Sequence, residues 1–408
     1  MNTSYPKEKL KILLLENIHP SAIKLLRDSG YTDIESISGS LSEKELSDKI
    51  SKVHVVGIRS KTQLTETVLK NAERLIAVGA FCIGTNQIKM DEARKQGIAV
   101  FNSPFSNTRS VAELVIGLGI MLMRRVFEKS EGAHHGLWLK ESKDCYEVRG
   151  KTLGIIGYGH IGSQVSVLAE ALGMKVLFYD ITSKLVLGNA QASRSIDDLL
   201  KKSDIITLHV PGTPDTRDLI NAARLKKMKP GAVLVNLSRG DVMDVWAVKD
   251  ALEKKHLGGL AVDVFPEEPK SNKDLFASPL QGLPNVILTP HIGGSTVEAQ
   301  EAIGLDVAEK IIAFIESGSS SGSLTVPEIS LPVLHNAHRI LHVHRNVPGV
   351  LSQINGVLSK MKVNILGQYL KTNEEIGYVV LDIDKKSSTR VMAELKKVKH
   401  TIRTRSLY

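Results

Sequence analysis

Cysteine and aromatic residues are scarce in this 408-residue chain, and no apolar run is long. The two cysteines, Cys82 and Cys145, form no metal or redox spacing, which argues against a disulfide framework or a thiolate metal site. The greasiest segment, Leu114 to Met123, is broken by Gly117 and Gly119 and flanked by Glu113 and Arg124. It is about half a membrane span, so a buried helix is expected and no membrane partner. The apolar run within Lys7–Glu16 is too short for a signal peptide and meets an acid at once. Together these absences predict a cytoplasmic, soluble protein.

Acids are scarce near the C-terminus. Lys385 to Arg405 holds eight Lys or Arg residues against the single acid Glu394, most of the formal charge of +9. No zinc-finger, helix-turn-helix or aromatic RNA-binding pattern accompanies it, so no nucleic-acid partner is expected. Val391, Leu395 and Val398 have helical spacing, so the run reads as a helix with a solvated basic face.

What is present is glycine, in one telling place. Leu153-Gly154-Ile155-Ile156-Gly157-Tyr158-Gly159-His160-Ile161-Gly162 is a short apolar strand entering a glycine turn. A helical run follows, and a second apolar strand ends on Asp180. Gly157 permits the tight turn, Gly159 lets backbone approach a pyrophosphate, and Gly162 lets the helix pack close to the strand. The free N–H groups and positive dipole end of that helix then face phosphate. Asp180, roughly 20 residues on, suits the ribose hydroxyls and repels a 2′-phosphate, which favours NAD over NADP.

The length predicts about two or three domains. Short apolar strands at Lys11–Leu15, Val53–Ile58, Leu75–Val78 and Ala99–Phe101 alternate with helical patterns, which indicates a parallel sheet covered on both faces. A long helix, Ser106–Arg124, leads away from it. Six further strands follow, at Gly154–Gly157, Val176–Asp180, Ile205–His209, Val233–Leu237, Gly259–Val262 and Val286–Thr289, a complete doubly wound dinucleotide-binding sheet. The helix Val297–Glu316 has no place there and is expected to return to the first domain, making it discontinuous, with a cleft between the two domains. Ser317-Gly318-Ser319-Ser320-Ser321-Gly322-Ser323 reads as a flexible linker. The remainder has the order βαββαβ, which is ferredoxin-like.

The expected partition is a substrate-binding domain at 1–105 and 294–316, a nucleotide domain at 106–293, a linker at 317–332 and a regulatory or oligomerising domain at 333–408. The fold class is α/β, with two doubly wound parallel-sheet domains, one flavodoxin-like and one Rossmann, plus the ferredoxin-like module.

Three residues follow the carboxyl ends of apolar strands, where open α/β sheets place ligands: Arg239, Glu268 and His291. Taking a hydride from a secondary alcohol requires a base for the hydroxyl proton, and imidazole suits that task. A carboxylate beside it would orient it and raise its pKa. A guanidinium can hold a substrate carboxylate by two points. Spacing alone therefore supports an NAD-dependent 2-hydroxyacid dehydrogenase.

The chain resembles the D-isomer-specific 2-hydroxyacid dehydrogenases, in the branch carrying a C-terminal ACT domain. The resemblance rests on Gly157–Gly162, Phe105–Glu113, Asn236–Gly240, Asp263–Pro269, Pro290–Thr296 and the terminal module. It implies NAD-dependent oxidation of 3-phospho-D-glycerate to 3-phosphohydroxypyruvate, the first step of serine synthesis. Some members also reduce 2-oxoglutarate. Arg239, Glu268 and His291 match the family's catalytic arginine, acid and histidine. Asp263 matches the acid beside the nicotinamide carboxamide, and His160, Ile161, His209, Pro211, Arg239, His291 and Gly294 fall at further cofactor-contacting positions. Arg59, Ser60, Asn107 and Lys140 match anion-contacting positions. A basic residue expected near Ser38 is absent, with Lys61 or Lys140 as substitutes.

In the ACT module, His344, Asn346 and Asn364 match positions that bind serine between paired domains, which implies feedback inhibition by L-serine. His335, His338, His342 and His344 lack companion carboxylates or cysteines, so no metal is expected. A terminal strand, Thr401–Tyr408, is available for pairing across subunits, and a homotetramer with two kinds of interface is expected. The alternatives are a hydroxypyruvate or glyoxylate reductase, a D-lactate or formate dehydrogenase, and a non-catalytic NAD-sensing protein. Glu268 argues against formate dehydrogenase, which has glutamine there.

Overall fold

The structure, a computed structural model, describes residues 5–269, 274–332, 337–384 and 388–408. Packing divides the chain into two units, Met1–Ser106 with Gln300–Tyr408, and Asn107–Ala299.

The first unit begins with β1 (Ile12–Leu14), α1 (Pro20–Asp28), β2 (Ile34–Ser36), α2 (Glu43–Ile50), β3 (Val55–Ile58), α3 (Glu66–Lys70), β4 (Ala77–Ala80), α4 (Met90–Lys95) and β5 (Ala99–Asn102). The strands form one parallel sheet in the order β2-β1-β3-β4-β5, the flavodoxin-like arrangement. β1, β3, β4 and β5 are buried throughout. That is why each reads in sequence as an unbroken apolar run. β2, α2 and α4 are absent from the sequence reading. β2 is a short, partly exposed edge strand with no apolar run to mark it. α2 is announced by a capping box, Ser42 with Glu45, rather than by its apolar content.

The second unit contains α5 (Thr108–Arg124), α6 (Val126–His134), β6 (Thr152–Ile156), α7 (His160–Ala171), β7 (Lys175–Tyr179), β8 (Gln191–Ala192), α8 (Ile196–Lys202), β9 (Ile205–Leu208), α9 (Ala222–Leu225), β10 (Val233–Asn236), α10 (Val245–Glu253), β11 (Gly259–Val262) and β12 (Val286–Leu288). Its parallel sheet has the order β12-β11-β10-β9-β6-β7-β8. The direction of winding reverses between β6 and β9, and such switch points open the crevice in which dinucleotides bind. β8, of two exposed residues, is additional to the expected six strands. α5 is the greasy segment: Val111, Val115, Leu118 and Leu122 are buried in one cluster with Leu153, Ile155, Val165 and Ala169. Among the described residues no helix is long and apolar enough to cross a membrane.

α11 (Val297–Ser317) opens the return. Ile303, Val307, Ile311 and Phe314 join Ile12, Leu14 and Phe101 in the core of the first unit. Each such fully buried side chain contributes about 1.5–3 kcal/mol. The chain ends with β13 (His338–Arg345), α12 (Val350–Lys360), β14 (Ile365–Thr372), β15 (Ile376–Ile383), α13 (Ser388–Leu395) and β16 (Thr401–Leu407). This antiparallel sheet has the order β14-β15-β13-β16, the ferredoxin-like module. Both faces of its central strands are covered. Ile340, Val379 and Leu381 pack on Ile354 and Val391 of the helices. Leu341, Val343, Tyr378 and Val380 belong to the core shared with the flavodoxin-like sheet.

Two expectations are corrected here. The Ser/Gly stretch is not a loose tether, because Ser317, Ser319 and Ser320 are buried. Ser320 Oγ donates to Pro327 O at 2.7 Å and its N–H to Ile329 O at 2.8 Å, while Tyr378 Oη donates to Gly318 O at 2.6 Å. Thr325 Oγ1 donates to Ile98 O at 2.6 Å and accepts from Val100 N. The small polar residues satisfy one another and the backbone, so a composition that builds no apolar core still orders the chain.

The basic run is not all solvated. Lys396, Lys397 and Lys399 are exposed around α13. Arg403 and Arg405, however, lie two apart on β16 and so share one face of the sheet. Arg403 donates to Leu75 O, and Arg405 Nη2 donates to Phe314 O at 3.2 Å and Ile315 O at 2.9 Å. The more exposed sheet edge is β14, where Leu366, Tyr369 and Leu370 face solvent, rather than the half-buried β16.

Candidate active site

The second unit gathers most of the expected residues at the carboxyl ends of its strands. Gly157 follows β6 with φ +93, where an added Cβ would run into His209 O. Gly162 is equally constrained by Gly157 O. Gly159 differs: among the described residues, a Cβ there would meet nothing within 4 Å, and no side chain caps the N-terminus of α7. Bare backbone at a twelve-residue helix's positive end, facing open space, fits a pyrophosphate. His160 is exposed and Ile161 half-buried beside it.

Asp180 follows β7. Its Oδ2 accepts from Tyr158 N and its Oδ1 from Thr182 N, at 2.8 and 2.9 Å. Burial alone would raise its pKa, but these bonds and Lys184 outweigh that and lower it. The carboxylate therefore braces the glycine turn while staying ionised, as a ribose acceptor must. His209 and Pro211 follow β9. His209 Nε2 lies 2.9 Å from Thr207 Oγ1, and burial lowers its pKa to about 3, so the ring is neutral. Pro211 O accepts from Thr216 Oγ1.

Arg239 follows β10 in a turn built by buried Asn236, whose Oδ1 accepts from Ser238 N and Oγ and whose Nδ2 donates to Arg239 O. Arg239 is exposed. Glu268 follows β11 and His291 follows β12. His291 Nδ1 is 2.8 Å from Glu268 Oε2 and 3.1 Å from Oε1. The Glu268 bond raises the His291 pKa; burial opposes it, the charges of Glu268 and Asp263 add to it, and Arg239 subtracts. For Glu268, burial pushes upward, but the His291 bond and charge, Phe265 N–H and Arg239 together lower its pKa. A carboxylate only accepts, so Nδ1 carries the proton and Nε2 is the basic nitrogen.

Asp263 is buried and fully engaged. Its Oδ1 accepts from Thr289 Oγ1 at 2.6 Å and Ile292 N at 2.8 Å, and its Oδ2 from Gly293 N at 2.8 Å. It thereby holds the loop in which His291 sits at φ +55, a left-handed conformation uncommon outside glycine. The family resemblance implies a place for Asp263 beside a cofactor amide; its anchoring of the histidine loop emerges only from the fold. Asn107 is buried at the start of α5, packed so closely on Gly294 that a Cβ there would strike its Nδ2. Lys140 is exposed beyond α6.

Arg59 and Ser60 belong to the first unit, after β3. The Arg59 N–H donates to Glu16 Oε1 at 3.1 Å, and Arg59 O accepts from Gln87 Nε2 at 2.6 Å. Ser60 and Lys61 are exposed, as is Ser38.

Residues 116–293 match the NAD-binding domain of D-isomer specific 2-hydroxyacid dehydrogenases, and residues 340–403 match an acetohydroxyacid-synthase small-subunit-like ACT domain. The D-3-phosphoglycerate dehydrogenase of Escherichia coli K12 is 51% identical over 407 residues, 99% of each chain. That of Dictyostelium discoideum is 52% identical over 406 residues, covering 100% of this chain and 99% of its own. The chain belongs to the D-isomer-specific 2-hydroxyacid dehydrogenases. Among solved structures, the D-lactate dehydrogenase of Aquifex aeolicus complexed with NAD and lactic acid superposes with a TM-score of 0.63 at 29% identity, over 75% of this chain and 95% of that one.

As a member of this family the chain is an NAD-dependent oxidoreductase. Its ACT residues are more dispersed than its nucleotide residues. His344 is buried against Gly377, with Nδ1 2.8 Å from Arg345 O. Asn346 donates to Asn373 O at 2.8 Å. Asn364 is exposed just before β14, which is separated from β13 by β15. Two strand spacings amount to about 10 Å, so one module by itself does not unite Asn364 with His344. His342 is buried, which with the neighbouring His344 lowers its pKa to about 4. Among the described residues no group of His, Cys, Asp and Glu could hold a metal ion; His335 lies outside them.

Proposed function

We propose that the chain oxidises 3-phospho-D-glycerate to 3-phosphohydroxypyruvate with NAD, opening L-serine synthesis. The single observation that carries the chemistry is the 2.8 Å Glu268–His291 pair, set at the carboxyl end of the sheet that bears the glycine turn. The substrate follows from the full-length similarity to D-3-phosphoglycerate dehydrogenases.

Gly157, Gly159, Gly162 and Asp180 hold the dinucleotide, with His160, Ile161, His209, Pro211 and Gly294 around it. When bound, NAD supplies the nicotinamide carbon that accepts a hydride. His291 Nε2 takes the C2 hydroxyl proton, and Glu268 stabilises the imidazolium that forms. Arg239 grips the substrate carboxylate and draws charge onto the C2 oxygen. Asp263 keeps the histidine loop in register. Arg59, Ser60, Asn107 and Lys140 serve the substrate's anionic groups, with Lys61 standing in for the base absent at Ser38.

The ACT module acts as a receptor for L-serine through His344, Asn346 and Asn364 of paired modules, in a cytoplasmic homotetramer. The three-domain partition with boundaries near 106, 294 and 333 belongs to the same reading. Steady-state assays test it. Turnover with 3-phosphoglycerate should exceed that with D-lactate, D-glycerate or 2-oxoglutarate, and millimolar serine should inhibit it. Equal turnover of the unphosphorylated acids would make the chain another member of the family, and no turnover at all would make it an NAD-sensing protein.

A further inference from the structure

Glu16 is an acid where an acid is costly. It follows β1, is only 7% exposed, and adopts φ +65, with Asn17 next to it at φ +53. Neither residue is glycine, so two successive left-handed residues are an outlier held by their surroundings. The side chain shows what holds them. Oε1 accepts from Arg59 N at 3.1 Å and Thr62 N at 2.8 Å, and Oε2 accepts from Lys61 N at 2.9 Å. The backbone carbonyl of Glu16 also accepts from Arg59 Nη1 at 3.5 Å.

Three N–H groups converging within four residues form the kind of concave donor cluster that elsewhere binds an external anion. Here the protein's own carboxylate fills it. Gln87 grips the loop from the other end, donating to Arg59 O and to Gly84 O. Arg59 is thus fixed at both its N–H and its carbonyl. We propose that Glu16 is a positioning residue for substrate binding. By filling the donor cluster it sets the conformation of loop 59–62, and through it the direction of the groups that meet the substrate's anion. This rests on the assignment of that loop to substrate binding.

The test uses the full-length enzyme with NAD and 3-phosphoglycerate, and the variants Glu16→Gln, Arg59→Ala and their combination. The amide of Gln sets a donor against at least one N–H of the loop. KM for 3-phosphoglycerate should rise about tenfold, the size of one weakened charge-assisted contact, while KM for NAD and kcat stay within about twofold. Hydrogen exchange at the amides of Arg59, Lys61 and Thr62 should accelerate. In the Arg59→Ala background the Glu16→Gln change should add little, as for residues acting through one another. Glu16→Asp, which keeps the charge but shortens its reach, gives the same KM split if the Gln variant does not fold. If Glu16→Gln raises KM while Arg59→Ala does not, Glu16 acts through Ser60 or Lys61; the proposal holds and the role of Arg59 falls. An unchanged substrate KM in Glu16→Gln, or an equal loss toward NAD, overturns the proposal.

Discussion

His291 Nδ1 lies 2.8 Å from Glu268 Oε2, so the ring's other nitrogen is the one left to exchange a proton. The acid does more than orient. Its bond lifts the His291 pKa above the ordinary 6.5, a rise that burial opposes only in part. Alcohol oxidation requires neutral imidazole, so activity should fall as pH drops through that raised value. Glu268→Gln keeps an acceptor but removes the charge, which lowers the pKa. The acidic limb of kcat/KM for oxidation should therefore move to lower pH, and the reverse reduction, which needs imidazolium, should fade at lower pH too. A limb left at its wild-type position would rule out this coupling.

The glycine turn separates folding from binding. Gly157→Ala places a side chain at φ +93 and against His209 O, so it should destabilise the fold by at least ~2 kcal/mol. Gly159→Ala meets open space and should leave stability within ~0.5 kcal/mol. It should nonetheless weaken NAD on the order of tenfold, the cost of one displaced charge-assisted contact. Thermal unfolding and NAD titration of both variants check the contrast.

Asp180 braces Tyr158 N–H, and the proposed function gives it a second task, excluding a 2′-phosphate. Asp180→Ser should weaken NAD by roughly tenfold or more through the lost charged acceptor. It should weaken NADP far less, so that the preference narrows. Fluorescence titration with both dinucleotides measures the ratio, and an unchanged ratio would remove Asp180 from cofactor selection.

Arg339 is fully buried against Asp382, with Nε–Oδ1 at 2.7 Å and Nη2–Oδ2 at 2.9 Å, and its Nη1 donates to Ser317 O and Pro332 O. Arg339→Met strands the carboxylate and should cost about 3–5 kcal/mol. Replacing Asp382 with Leu as well should recover part of that loss. Urea unfolding of the single and double variants measures it.

Much of the candidate site was legible because its residues lie in short motifs. Gly157 and Gly162 announce themselves, since a tight turn and a close helix leave no room for a side chain, and Asp180 stands out as the acid that ends the next strand. Arg239, Glu268 and His291 were readable from their place after apolar strands. Glu16, Gln87 and Asn236 were not, because each acts by hydrogen bonds to backbone, and a buried polar side chain with that role has no periodic signature. The buried setting of Arg403 and Arg405 was hidden for a related reason. A basic stretch reads as solvated until another part of the chain presents carbonyls to it.

The sequence by itself determined the local order: which segments become strands, where the chain turns, and which acid follows which glycine. Those choices rest on side-chain period, backbone freedom and charge, which act over a few residues. The tertiary structure decided what distant segments do to one another. It made the Ser/Gly stretch an ordered, buried connection, turned Asp263 into the anchor of the His291 loop, and let Glu16 close a donor cluster 43–46 residues away. The physical reason is that a hydrogen bond depends on the position of its partner in space, and only the packed fold sets that position.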